Sequence, residues 1–209
     1  MKPQCIQIKT ISTIMAATLL LASCKKDKIM SPVETGKNIA VSQFKTDADG
    51  WTITGDAQGG FVAASYSPDG GVSDGYIFAT DDVTGGTWYF SAPAAFLGNK
   101  NTYYGATLRF SLFQHSSRTN QYEWADLIFR NGNQQISFKL KKYPGKQWTD
   151  YTIKIDENNG WLKGDYDSNI QATKADIDFV LSNVTAFWIR GEYETGPDEG
   201  GLDNVQFNK

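Results

Sequence analysis

The chain has 209 residues, a formal net charge of −3, one histidine and two cysteines. That composition offers no basic surface for nucleic acid, no zinc site of the usual Cys/His kind and no disulfide framework. Its distinctive resource is aromatic: six Trp, ten Tyr and twelve Phe suit either a large core or a surface that packs on the C–H faces of sugars.

Residues 1–23 read as a lipoprotein signal peptide. Lys2 and Lys9 form a positive start, and the apolar run over 11–21 is too short to serve as a permanent span. Leu21, Ala22, Ser23 and Cys24 resemble the bacterial lipobox. That resemblance implies cleavage before Cys24 and acylation of its thiol. The product would be exported and anchored to the outer membrane, on its periplasmic side or at the cell surface. Cys5 is lost with the leader, so the folded part keeps no thiol. Residues 24–38, with Pro32 and Gly36, read as a polar tether.

From residue 39 to 209 the pattern is that of an all-β sandwich, short apolar runs separated by turn residues. Strands are expected at 39–44, 51–54, 61–66, 76–80, 87–91, 106–114, 125–130, 135–141, 151–155, 187–193 and 202–207. Asn131 and Gly132 between two of them signal a hairpin. One segment breaks the alternation. Thr173 with Asp176 is a variant capping box, and Ile177, Val180, Leu181 and Val184 follow at helical spacing. The spacing predicts one short helix over 174–182.

His115 falls in a polar stretch with no nucleophile motif beside it, and is expected to be a solvent-exposed loop residue. Glycoside hydrolysis needs two carboxylates across a cleft. Asp126, Asp165, Asp167, Glu192 and Glu194 supply acids without saying which of them face one another. Calcium takes six to eight oxygen ligands from irregular loops. Asp47 and Asp49, Asp81 and Asp82, and Asp203 are candidates for a structural Ca²⁺, since acids from both chain ends meet if the first and last strands are neighbours. Asp also simply favours turns. For ligand binding, alternation places Phe187 and Ile189 on one strand face and Trp188 with Arg190 on the other. Trp188, Arg190 and Tyr193 are therefore the leading candidates, with Trp124 behind them.

Trp88, Ala92, Pro93, Phe96, Leu97 and Gly98, followed by Tyr104, Gly105 and Leu108, resemble the central motif of the laminin B domain (laminin domain IV). Ile189, Arg190 and Tyr193, then Leu202, Asp203 and Val205, match that family's closing pattern, so the resemblance covers roughly residues 44–207. It implies a jelly-roll β-sandwich related in architecture to carbohydrate-binding and galactose-binding-like modules. Pro93, Phe96 and the glycines read as scaffold residues. The expected function is a non-catalytic cell-envelope module that binds a glycan or glycoprotein. An adhesion or protein-interaction subunit of an outer-membrane complex is the alternative, and a glycan-active hydrolase the third.

Overall fold

The structure, a computed structural model, describes residues 38–116 and 121–209. The expected leader, Cys24 and all but the last residue of the tether lie outside the described residues. In chain order the strands are β1 (Asn38–Ser42), β2 (Thr52–Thr54), β3 (Ser65–Ser67), β4 (Tyr76–Asp81), β5 (Tyr89–Ser91) and β6 (Thr107–Ser116). Then come β7 (Leu127–Asn131), β8 (Gln134–Phe138), β9 (Thr149–Lys154), β10 (Leu162–Lys163), helix α1 (Lys174–Ser182), β11 (Ala186–Arg190) and β12 (Asp198–Asn208).

Every pairing is antiparallel, in two six-stranded sheets. The first sheet runs β3-β4-β12-β6-β9. Its organiser is β12, which pairs with β6 along one edge and, on the other, with β4 and then β1. First and last strands are thus neighbours. The second sheet runs β10-β8-β7-β11-β5-β2. The two pack as a jelly-roll β-sandwich.

Alternation explains what lies between them. Leu108, Phe110 and Leu112 of β6 point inward and are buried, as are Phe187 and Ile189 of β11. Phe129 stacks on Phe187 at 4.3 Å between ring centroids, and Tyr103 on Phe207 at 3.9 Å. Phe96, carried in on the turn after Pro93, meets Trp51 at 5.3 Å and Phe187 at 6.2 Å. Each such side chain, fully buried, contributes roughly 1.5–3 kcal/mol.

Several segments depart from the sequence reading, and β10 forms where no strand was expected. Residues 61–64 are not a strand: Phe61 has φ +53° and is 86% exposed, Ala63 makes only an isolated bridge to Thr52, and the strand begins at Ser65. The last strand starts at Asp198, because Gly200 and Gly201 join the ladder beside β4 despite lacking side chains. His115 is not a loop residue; it belongs to β6, opposite Glu199.

Helix α1 forms where the spacing places it. The Thr173 hydroxyl accepts from the Asp176 N–H at 3.2 Å, and the Asp176 carboxylate accepts from the Thr173 N–H at 3.0 Å. Ile177, Val180 and Leu181 are buried against β7 and β8. Lys163 at 2.7 Å, with the Thr173 hydroxyl and N–H, holds the Asp176 carboxyl down to about 2, against an ordinary 3.8. A depressed folded-state pKa stabilises the fold above the ordinary value and ceases to do so as pH falls through the folded one. Asp176→Asn is therefore expected to cost about 1 kcal/mol at neutral pH. Urea titrations of both proteins should converge as the pH falls from 3.8 through 2.

Candidate functional site

Arg190 closes β11 and Tyr193 follows it; both are 0% exposed. The Arg190 guanidinium lies 3.3 Å from Asp126, which is also fully buried. It donates to the Tyr122 carbonyl at 3.0 Å and to the Glu192 carbonyl. The rings of Tyr122, Tyr193 and Tyr143 surround it, centroids 4.4, 4.5 and 5.7 Å from the guanidinium carbon. Burial pushes the Asp126 carboxyl up to about 6, opposed by Arg190 and by the Leu140 N–H at 2.6 Å. A ligand in solvent reaches neither Arg190 nor Tyr193. The expectation that they carry binding is corrected: they are the buried frame of this end of the sandwich. Alternation could not show this, because the cover comes from residues 121–126 and 143.

Trp188 and Trp124 are placed differently. Trp188 lies on the outer face of the second sheet, with the Arg130 guanidinium 4.3 Å from its ring and Tyr89 beside it at 5.8 Å. Trp124, 37% exposed, contacts Tyr166 at 4.7 Å. Tyr166 and Trp188 pack on the same apolar cluster of Tyr89, Ala125 and Ile128. These residues form an aromatic patch.

The outer face of the first sheet carries a group that the sequence reading missed. Tyr76 of β4, Phe113 of β6 and Trp148 before β9 meet edge to face, with centroids 4.7–5.6 Å apart. Phe113 lies over Gly201 of β12, where a Cβ would come 2.1 Å from the ring. The Trp148 indole N–H donates to the Gly70 carbonyl at 2.9 Å. These rings line a depression of about 260 Å³, rimmed by Gly70, His115, Lys146, Gln147 and Glu199. His115 Nε2 is 3.0 Å from the Lys146 carbonyl, and its Nδ1 is 3.8 Å from Glu199. A second, more open depression adjoins it, sharing His115, Lys146 and Glu199 and reaching Thr80, Asp82 and Pro197. The available signal was Phe113, an aromatic on the polar side of a strand whose core side is Leu108, Phe110 and Leu112.

The acids named for calcium do not converge. Asp47 accepts from the Asp49 N–H at 2.7 Å, and Asp49 from the Phe44 N–H at 3.2 Å, in their own turn. Asp203 accepts from the Val72 and Asn204 N–H groups at 2.7 and 2.6 Å. It lies five residues along β12 from Asp198, the partner of Asp81, which is ~16 Å at the strand rise. Asp82 stands on the wall of the open depression. Asp81 instead joins Asp56, which follows β2, and Glu192, which follows β11. Burial above all, with Asp56 and Asp81 adding repulsion, pushes the Glu192 carboxyl up to about 7. Burial with Glu192 and Asp81 nearby pushes Asp198 up to about 8.

Residues 89–209 match the family model described as Laminin B (Domain IV). The chain belongs to the laminin B family. It is 29% identical over 157 residues to laminin subunit gamma-1 of Xenopus tropicalis, a match covering 73% of this chain and 9% of that protein. The laminin B domain here is thus similar to a small part of a much longer relative. Among solved structures it superimposes on the L4b domain of human laminin alpha-2 with a TM-score of 0.61. Identity there is 15%, over 81% of this chain and 97% of that one. A family 11 carbohydrate-binding module from Clostridium thermocellum, in complex with a β-1,3-1,4-mixed-linked tetrasaccharide, gives 0.50 at 12% identity. That match spans 82% of this chain and 95% of the module.

The laminin B motif is structural in this chain. Trp88 is fully buried between the end of β11 and the start of β12, where a Cβ on Gly191 would lie 1.9 Å from its ring. Its indole N–H donates to Asp198 at 3.3 Å. No helix among the described residues is long and apolar enough to cross a membrane. Removing one partner of a buried ion pair leaves the other charge uncompensated. Asp126→Ala is therefore expected to cost about 3–5 kcal/mol in chemical denaturation. A loss of a few tenths would show that Arg190 is solvated.

Proposed function

We propose that this domain is an exported, non-catalytic binding module for a carbohydrate, free or on a glycoprotein, held at the cell envelope by a lipid on Cys24. The observation that carries the reading is the depression on the outer face of the first sheet. Its aromatic floor of Tyr76, Phe113 and Trp148 suits the C–H faces of a sugar ring. Its rim supplies both donors and acceptors: Lys146 donates, Glu199 accepts, and Gln147 and His115 can do either. Few polar groups around an apolar floor is the usual make-up of a small-ligand site. The fold shared with a tetrasaccharide-binding module supports the reading at the level of architecture.

A protein-interaction or adhesion role is the second reading. The patch of Trp188, Tyr166 and Trp124 favours it, since partly exposed aromatics are enriched where protein partners bind. Hydrolysis gains no support from the acids named for it. Asp126 is engaged by Arg190, Glu192 turns toward Asp56 and Asp81, Glu194 accepts from the Gln114 amide at 3.2 Å, and Asp165 and Asp167 sit on an exposed loop.

A glycan panel probed with the purified chain tests the proposal. Trp148→Ala should weaken a bound glycan at least about tenfold, ~1.4 kcal/mol, while Trp124→Ala leaves it unchanged. The reverse result would move the site to the second sheet. No glycan bound, with a protein partner lost only in Trp124→Ala, would replace the proposal with the second reading.

A further inference from the structure

Three carboxylates from distant parts of the chain converge at one end of the sandwich. One oxygen each from Asp56, Asp81 and Glu192 lie within 4.8 Å of one another. Asp81 is 0% exposed, completing the inward series Ile77 and Ala79 of β4, and Glu192 is 3% exposed. The arrangement within each acid matters more than their proximity. Asp81 uses Oδ1 to accept from the Val83 N–H at 2.9 Å, while its Oδ2 is buried without a partner. Asp56 uses Oδ2 to accept from the Gly86 N–H at 2.6 Å, while its Oδ1 is buried without a partner. Glu192 Oε2 is also buried and unpartnered. Backbone donors thus hold one oxygen of Asp81 and one of Asp56, and each of the three acids keeps a free oxygen. Beside them, Asp198 keeps its own Oδ2 buried and unpartnered while Trp88 fixes its Oδ1.

Buried carboxylate oxygens without donors are costly, and three together repel one another. A bound cation removes both costs. We infer that Asp56, Asp81 and Glu192 form a calcium site that clamps the two sheets together at this end. The donor set is oxygen only, which suits a hard cation over zinc. The donors come from irregular loops and a strand end, a flexible geometry that calcium tolerates better than magnesium does. Asp56 and Glu192 flank strands of the second sheet and Asp81 ends a strand of the first, so one ion would bridge both layers. Asp81 and Asp198 also line the open depression, which gives the ion a route in from solvent. The inference does not depend on glycan binding.

The test uses the full chain, stripped with EDTA and then titrated with Ca²⁺ alone. The wild-type melting temperature should rise by several degrees with added Ca²⁺, because a ligand bound only by the native state raises stability. Glu192→Gln and Asp81→Asn keep the shape and remove a charge; both should lose the rise. Asp203→Asn, remote from the cluster, should keep it. Equal wild-type melting temperatures in EDTA and in millimolar Ca²⁺ would overturn the inference. So would a Ca²⁺-dependent rise that survives Glu192→Gln and disappears in Asp203→Asn. Calorimetric titration of the wild type, which needs no variant to fold, should show one Ca²⁺ bound per chain, and no binding heat would refute the site.

Discussion

The buried ion pair of Arg190 and Asp126 is the interaction to which one end of this sandwich answers. Taking a guanidinium and a carboxylate out of water costs several kcal/mol each. The cost is offset only when every neighbour is in place: the Tyr122 and Glu192 carbonyls, the Leu140 N–H and the three tyrosine rings. Those neighbours come from the entry to β7, the exit of β8 and the exit of β11. Once they dock, the chain leaving β11 has a fixed course, which directs Glu192 toward Asp56 and Asp81 and brings Gly191 against Trp88.

The same economy separates three aromatic populations. Inward rings such as Phe129, Phe187 and Phe207 fill the space between sheets. Trp88 and the tyrosines around Arg190 seal one end. Tyr76 and Trp148 on one outer face, beside the nearly buried Phe113, and Trp124 with Tyr166 on the other, keep contact with solvent. The two outer faces differ in form. Phe113 can lie flat across β12 because Gly201 has no side chain, and that leaves a walled depression. On the opposite sheet Arg130 packs on Trp188 at 4.3 Å.

Much of this was legible in the sequence. Period-two alternation located most strands, and the capping residues Thr173 and Asp176 located the helix. The Trp88 to Leu108 motif pointed to the laminin B family, and its Pro93 and Phe96 behave as the scaffold residues they resembled. Where the reading failed, a non-local contact overrode a local pattern. Phe61 had the apolar character of a strand residue, yet its backbone turns into the left-handed region before pairing starts. The last expected strand starts at Leu202, yet β4 and β6 pair with Gly200 and Gly201 from both sides. Arg190 alternated with the core and so read as exposed; a cover from residues far away in the chain buries it.

What the sequence determined by itself is most of the strands, the helix and the family, because these follow from short-range periodicity and from motifs within a few residues. Only the tertiary structure decided which aromatics stay at the surface and which acids meet. Asp47, Asp49, Asp82 and Asp203 were equal candidates with Asp81 as letters in a row. The lateral order of strands, β4 beside β12 in one sheet and β11 beside β5 in the other, brings Asp81 to Glu192 and Asp56 and carries Asp203 away. That order is set by pairings across more than a hundred residues of chain, which no local pattern encodes.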